Sequence, residues 1–238
     1  MQAVILAGGK GTRLRPYTVT FPKPLMPIGD LPILEIVLRQ LRHAGVDRVL
    51  IATGHLSELV RVFCGDGAKW GLKIDYSHEE QPLGTAGPLA PMAEQLDENF
   101  LVMNGDLLTT LDYRRAFERH VQGGAIATIC VFRRDAKIDF GVIEEDSSGN
   151  LVKYTEKPTF DFTVSMGINF FHRRILDHMV GAQRLDIPEL IMRLVAKGER
   201  VACYHQDCRW LDIGRADDYQ TATDTFAQFR GEFLPGNE

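Results

Sequence analysis

Residues 3–27 read AVILAGGKGTRLRPYTVTFPKPLMP, and this stretch changes character twice. Its first residues, Ala3-Val4-Ile5-Leu6, form an apolar run of the kind found in a buried strand. The run breaks directly into Gly8-Gly9-Lys10-Gly11, where the lack of Cβ atoms leaves backbone amides open to an approaching ligand. Arg13 and Arg15 follow, and Lys23 stands between Pro22 and Pro24, which stiffen the backbone around it. Three cations at the mouth of a glycine loop suit a polyanion, and a triphosphate is the simplest partner for them.

Two familiar glycine motifs are excluded by spacing. A Walker A loop ends in Gly-Lys-Ser/Thr, which is absent, and the dinucleotide pattern G-x-G-x-x-G fails because Gly9-Lys10-Gly11 runs into Thr12-Arg13-Leu14. What the chain does carry is L-A-G-G-x-G-T-R-L-x-P, followed by P-K-P and Pro27. This pattern resembles the signature of the sugar-1-phosphate nucleotidylyltransferases (nucleotide-sugar pyrophosphorylases). It is closest to members of the GDP-mannose pyrophosphorylase and heptose-1-phosphate guanylyltransferase type. The resemblance implies that Leu6, Ala7, Gly8, Gly9, Gly11 and Thr12 hold the nucleotide, with Arg13 and Lys23 as catalytic cations.

At 238 residues the chain is long enough for a large α/β domain with a sizeable core. Its 27 basic and 32 acidic residues leave a formal net charge of −5, so no general affinity for nucleic acid or an anionic membrane is implied. The cations of the first loop are a local device. Cys64, Cys130, Cys203 and Cys208 lack the paired spacing of a zinc site, and reduced, mostly buried thiols are expected. No run approaches membrane-spanning length and the chain enters a strand at once without a charged leader, so a cytoplasmic protein is expected.

Outward from the loop, Leu31–Ala44 carries a helical apolar stripe at Ile33, Leu34, Val37, Leu38 and Leu41, with Pro32 near its start and Gly45 past its end. Strands are expected at Arg48–Thr53, Leu72–Tyr76 and Phe100–Met103, with a short helix at Leu56–Phe63. Strands alternating with helices predict an α/β protein with a Rossmann-like, mixed but mostly parallel sheet flanked by helices. The resemblance implies the same, the nucleotide-diphospho-sugar transferase fold. Further on, Asp112–Val121 reads as a helix and Ala125–Phe132 as a strand; Gly141–Glu145 and Leu151–Thr155 read as a hairpin across a Ser-Ser-Gly-Asn turn. Val164–Phe171 and Arg200–Tyr204 are expected strands, and Pro188–Lys197 and Ala216–Phe229 expected helices. No linker or repeat separates the halves. A single domain over 1–238 is expected, with a nucleotide lobe at 1–110 and a sugar-phosphate lobe at 111–238.

Ligands in such sheets sit at the carboxyl ends of strands. There the third strand runs into Glu79-Glu80-Gln81-Pro82-Leu83-Gly84-Thr85-Ala86-Gly87, a turn expected to open a helix. The resemblance makes this the base-recognition segment, including Gly84 and Thr85. A carboxylate at Glu79 would accept the N–H groups of guanine, which favours GTP. The fourth strand ends in Asn104-Gly105-Asp106, a hard oxygen ligand aimed at the same cleft. Asp106 and, in the Trp210-Leu211-Asp212-Ile213-Gly214 segment, Asp212 resemble the two metal-binding aspartates of the family, and the resemblance implies Mg²⁺. Phe140-Gly141, Glu156-Lys157-Pro158 and Gly167-Ile168-Asn169 match its sugar-phosphate elements, which assigns Gly141, Glu156, Lys157 and Asn169 to that substrate.

The activity implied is transfer of a nucleoside monophosphate from an NTP, GTP favoured, to a mannose, heptose or aminosugar 1-phosphate, releasing pyrophosphate. The alternative pairs UTP, dTTP or CTP with glucose 1-phosphate. Lys157 would hold the attacking phosphate and Arg13 the departing pyrophosphate. A non-catalytic nucleotide-sugar sensor is expected to have lost one of Arg13, Lys23, Asp106, Lys157 or Asp212, and all are present. Some family members carry a C-terminal left-handed β-helix. The chain shows no hexapeptide repeat, so a second activity and trimers built by that route are not expected, while a homo-oligomer of another kind stays open.

Overall fold

The structure, a computed structural model, describes residues 1–179, 184–234 and 236. In chain order its elements are β1 (Gln2–Ala7), β2 (Pro27–Ile28), β3 (Leu31–Pro32), α1 (Ile33–His43), β4 (Arg48–Thr53), α2 (Ser57–Cys64), β5 (Lys73–His78), β6 (Asn99–Asn104) and β7 (Leu107–Thr109). There follow α3 (Tyr113–Gly123), β8 (Ala127–Lys137), β9 (Val142–Glu145), β10 (Leu151–Thr155), β11 (Thr159–His172), α4 (Ile187–Ala196), β12 (Val201–His205), β13 (Trp210–Asp212), α5 (Ala216–Gln228) and α6 (Arg230–Phe233).

β1 is buried on both faces because Ala3, Val4 and Ile5 offer no polar side chain to water, and such a strand belongs in the middle of a parallel sheet. It lies there, in a seven-stranded sheet of order β12-β8-β11-β6-β1-β4-β5. All neighbours pair in parallel except β11, which is antiparallel to both β6 and β8. The sheet is thus mixed and mostly parallel, as expected. One face packs through Ile5, Met103 and Ile168 onto α1, α2, α3 and α5; the other packs through Val4, Val102 and Phe171 onto α4 and the turns around it.

α1 forms as its apolar stripe predicts, with Ile33, Leu34, Val37, Leu38 and Leu41 fully buried, and it stops where Gly45 takes a φ of +89°. On the same helix Gln40 is buried, and its carboxamide donates to the Thr109 and Phe233 carbonyls, both at 2.8 Å. One side chain thereby ties α1 to β7 and to α6 near the C-terminus.

Three expectations need correction. No α-helix follows the Glu79–Gly87 turn: the chain makes 3-10 turns at Gly87–Leu89 and Ala93–Gln95, since Pro88 and Pro91 cannot donate the backbone hydrogen bonds of an α-helix. β8 and β11 extend past the apolar segments that announced them, to Lys137 and from Thr159, because they pair with each other beyond the core. Of the four cysteines, all free, Cys64 and Cys130 are buried while Cys203 is exposed and Cys208 half-buried.

His120 on α3 is buried against Phe170, and its Nδ1 lies 2.8 Å from Thr128 Oγ1. Burial, with His172 adding a smaller push, lowers its pKa from 6.5 to about 4. Folding therefore favours the neutral ring. Stability from this site is complete above pH 6.5 and drains away as pH falls towards 4, because the unfolded chain takes up the proton first. At about 1.4 kcal/mol per pKa unit, urea unfolding should show up to about 2 kcal/mol lost between pH 7 and 5 from this residue. The H120Q chain should lack that part of the slope.

Candidate active site

The candidate site is built at the carboxyl ends of β1, β4, β5 and β6. Beyond β1, Gly11 takes a φ of +58°, and a Cβ there would come within 2.9 Å of Thr18 Cγ2. Thr18 is buried and its hydroxyl donates to the Gly11 carbonyl at 2.7 Å, so it pins the glycine loop from behind. Gly9 faces open space, while Thr12 and Arg13 lie exposed on the 3-10 turn that follows. Gly105 is held against the same loop, its N–H donating to the Leu6 carbonyl at 3.0 Å. A Cβ at Gly105 would stand 3.0 Å from Ile5 and 3.2 Å from the Leu6 oxygen, so only glycine lets Asp106 approach this closely.

Asp106 forms an ion pair with Lys23, which is buried at the start of its own 3-10 turn. Asp212 reaches the same place by a separate route. β13 pairs antiparallel with β7, setting Asp212 opposite Leu107, and the Ile213 N–H donates to the Asp106 carbonyl at 3.4 Å. Crowding by protein and the neighbouring Asp106 carboxylate push the Asp212 pKa up, while Lys23 and Arg13 oppose the rise. Arg13 also lies across Gly214, whose missing Cβ leaves room for its guanidinium: an added methyl would sit 3.3 Å from Nη1. Asp218 flanks the same gap and accepts from the Arg215 N–H at 2.8 Å, capping α5. Arg13, Lys23, Asp106 and Asp212 thus converge. Arg15, the third sequence-predicted cation, is exposed and has no ion pair among the described residues.

Asp106 and Asp212 are hard oxygen donors beside a glycine loop of the kind that accepts phosphate. That donor set fits a hard divalent cation which takes few protein ligands and completes its shell from substrate and water oxygens. Among the described residues no group of three or more His, Cys, Asp or Glu side chains converges to hold a metal alone.

Glu79 turns inward at the end of β5. Its Oε1 lies 2.7 Å from where a Cβ on Gly8 would be, and its Oε2 accepts from the Leu83 N–H at 2.9 Å. Burial raises its pKa, against the pull of the Leu83 N–H and His78. Gly84 and Thr85 serve a neighbouring contact. Gly84, at a φ of +83°, lies so close to the Leu185 carbonyl that a Cβ would come within 2.5 Å of it. The Thr85 N–H donates to Asp186 at 3.0 Å, and its hydroxyl accepts from the Ile187 N–H at 2.7 Å. Thr85 thereby caps the start of α4. Asp186 was missed in the sequence, although Asp-Ile-Pro-Glu ahead of an apolar run is a helix-start pattern.

The sugar-phosphate candidates are gathered elsewhere. Gly141 is filled over by the Tyr154 ring, whose hydroxyl in turn donates to Glu156 at 3.2 Å. Lys157 is exposed and adopts a φ of +43°, a strained conformation for a side chain of its size. Lys157 and Glu156 lie at the outer end of the β8–β11 ribbon, where the Ile138 N–H donates to the Pro158 carbonyl at 3.0 Å. Asn169 is buried on β11 between Val102 and Ile129, and its Oδ1 has no hydrogen-bond partner among the described residues.

Comparison with known proteins bears on this arrangement. The family described as Nucleotidyl transferase matches residues 2–228. The UTP–glucose-1-phosphate uridylyltransferase of Synechocystis sp. is 35% identical over 241 residues, covering 93% of this chain and 62% of the relative. The mannose-1-phosphate guanylyltransferase of Mycobacterium tuberculosis is 32% identical over 225 residues, covering 92% and 62% respectively. The chain therefore spans about three fifths of the length of these relatives. Among solved structures, HddC from Yersinia pseudotuberculosis superposes with a TM-score of 0.75 at 24% identity, covering 94% of this chain and 99% of that one. A UDP-glucose pyrophosphorylase complexed with UDP-glucose gives 0.71 at 17% identity, covering 95% and 98%. These likenesses establish a shared fold, and no helix among the described residues is long and apolar enough to cross a membrane. With its whole glycine-rich signature and both aspartate segments inside the matched region, the chain belongs to the nucleotidyl transferase family.

Proposed function

We propose that the protein transfers a nucleoside monophosphate from an NTP, GTP by preference, to a mannose, heptose or aminosugar 1-phosphate, releasing pyrophosphate. The observation that carries this reading is the convergence of Lys23, Asp106, Asp212 and Arg13 beside a glycine loop. No protein nucleophile is needed. The sugar phosphate oxygen attacks the α-phosphorus in line, and the P–O bond to pyrophosphate breaks as the new one forms. The protein's work is to bring two anions together and to neutralise the charge that builds between them.

Each residue then has a task. The amides of Gly8, Gly9 and Gly11, with Leu6, Ala7 and Thr12 framing them, cradle the triphosphate, and Arg13 takes up charge on the departing pyrophosphate. Asp106 and Asp212 would hold Mg²⁺, which when bound neutralises charge between the two phosphates. Lys23, paired with Asp106 in the ligand-free chain, is released towards the α-phosphate. Lys157 receives the sugar phosphate, with Glu156, Gly141 and Asn169 lining the sugar, and its strained backbone agrees with a residue held for a task. Gly84 and Thr85 set the loop against which the base lies. Guanine is preferred because Glu79 keeps one carboxylate oxygen free of the Leu83 N–H.

Pyrophosphate release should be measured with Mg²⁺, crossing the common NTPs with mannose, glucose, glucosamine and heptose 1-phosphates. GTP should give the highest kcat/KM, and E79Q should lower that value by about 10- to 100-fold, the worth of a hydrogen bond to a charged acceptor. The Synechocystis relative favours a second reading, UTP with glucose 1-phosphate, and release confined to a pyrimidine nucleotide would establish it over the first.

Removing a charge aimed at the transition state depresses turnover more than binding. R13A and K157A should each lower kcat by about 10²- to 10³-fold, with nucleotide affinity by titration calorimetry changed far less. Wild-type turnover in either chain would remove that residue's assignment.

A further inference from the structure

The β8–β11 ribbon leaves the sheet with both edges open. β12 follows β8 only as far as Val131, and β6 meets β11 only from Ile168 onward. Past those points, among the described residues, Arg133–Lys137 and Thr159–Ser165 have only each other as strand partners. A two-stranded ribbon is marginally stable in water, and an open edge is a template for another strand.

Its two faces differ. Phe160, Phe162 and Val164 project on one face opposite Ala136, Arg134 and Phe132, and Phe132 packs on Trp210 with ring centroids 5.4 Å apart. This apolar face is continuous with the core, yet Phe160 and Phe162 stay 42% and 51% exposed. On the other face Asp135 stands directly opposite Asp161, with only Arg133, 3.6 Å from Asp161, to offset the repulsion. A hydrogen bond with the Asp161 side chain, and then its charge, raise the pKa of Asp135.

Pairing a strand with its own copy about a two-fold axis sets one residue opposite itself. On the β8 edge, centring on Arg133, Arg134, Asp135 or Lys137 opposes a charge to the same charge, which is destabilising, and centring on Ala136 sets no aromatic side chain opposite another within the strand. On the β11 edge, centring on Phe162 opposes Phe162 to Phe162, Phe160 to Val164, Asp161 to Thr163 and Thr159 to Ser165. No like charges meet there. Because Arg133 is the cross-strand partner of Thr163, the row holding Asp135 and Asp161 then runs on to Arg133 of the second copy, an opposite charge.

We propose that the Thr159–Ser165 edge is an interface between two copies of this chain, joined antiparallel about a two-fold axis at Phe162. The interface continues the ribbon into a four-stranded sheet and sets the exposed Phe162 side chains of the two copies side by side at its centre. It does not depend on the nucleotide or sugar assigned above.

Sedimentation velocity of the full chain tests it. The wild-type protein should run at twice the 26.7 kDa of one chain. F162E and F162K should each run as single chains, with unchanged far-ultraviolet circular dichroism, since each sets a charge opposite itself. An equimolar mixture of the two should recover the two-chain mass, because Glu then opposes Lys; a dimer formed anywhere else predicts no such recovery. A single-chain wild type, a dimer unmoved by F162E, or a mixture that stays single would each overturn the interface.

Discussion

The ion pair between Lys23 and Asp106 organises the site. Its partners are 83 residues apart and their side chains are only 10% and 22% exposed. An ammonium and a carboxylate taken that far from water are costly unless each neutralises the other. Both loops must therefore close together, and the local sequence is shaped to let them: Pro22 and Pro24 set the turn that presents Lys23, and Gly105 lets the chain press on Ile5 and Leu6 so that Asp106 arrives beside it. A larger residue at 105 would push the carboxylate away from the glycine loop.

Around that pair the charges are arranged in opposition. Asp212 meets Asp106 through the β7–β13 ladder, and their repulsion is countered by Lys23 and Arg13. Asp218, by capping α5, adds a further negative charge close to Arg13 while keeping its own backbone contact. Lys23 is thus paired with a carboxylate, and Arg13 lies near Asp212 and Asp218.

The β8–β11 ribbon is built on different mechanics. The ribbon of β8 and β11 carries Lys157 and Glu156 beyond the carboxyl edge of the sheet, where solvent surrounds most side chains. It is held by cross-strand pairs, by Tyr154 over Gly141 and by Phe132 against Trp210. Trp210 lies two residues from Asp212 and donates its indole N–H to the Met166 carbonyl at 3.0 Å. The ribbon and the second aspartate therefore share one anchor, which couples the placement of the ribbon to that of the carboxylates.

Much of this was legible in the amino-acid order. The apolar runs of β1, β4 and β6 and the stripe of α1 declare themselves because burial demands a local period of side chains. The glycine loop, Lys23 between prolines and Gly105-Asp106 declare themselves because their backbone needs are local too. What could not be read was which distant groups meet. That Asp212 lies beside Asp106 depends on a three-residue ladder between β7 and β13, that Thr85 serves α4 depends on Asp186 a hundred residues later in the chain, and the extra length of β8 and β11 depends on their pairing with each other. A hydrogen bond or charge contact between remote residues leaves no period in either segment. The amino-acid order alone sets the apolar strands of the main sheet, the glycine loop and the family, whereas the partners of each carboxylate come from packing across the sheet rather than from neighbours along the chain.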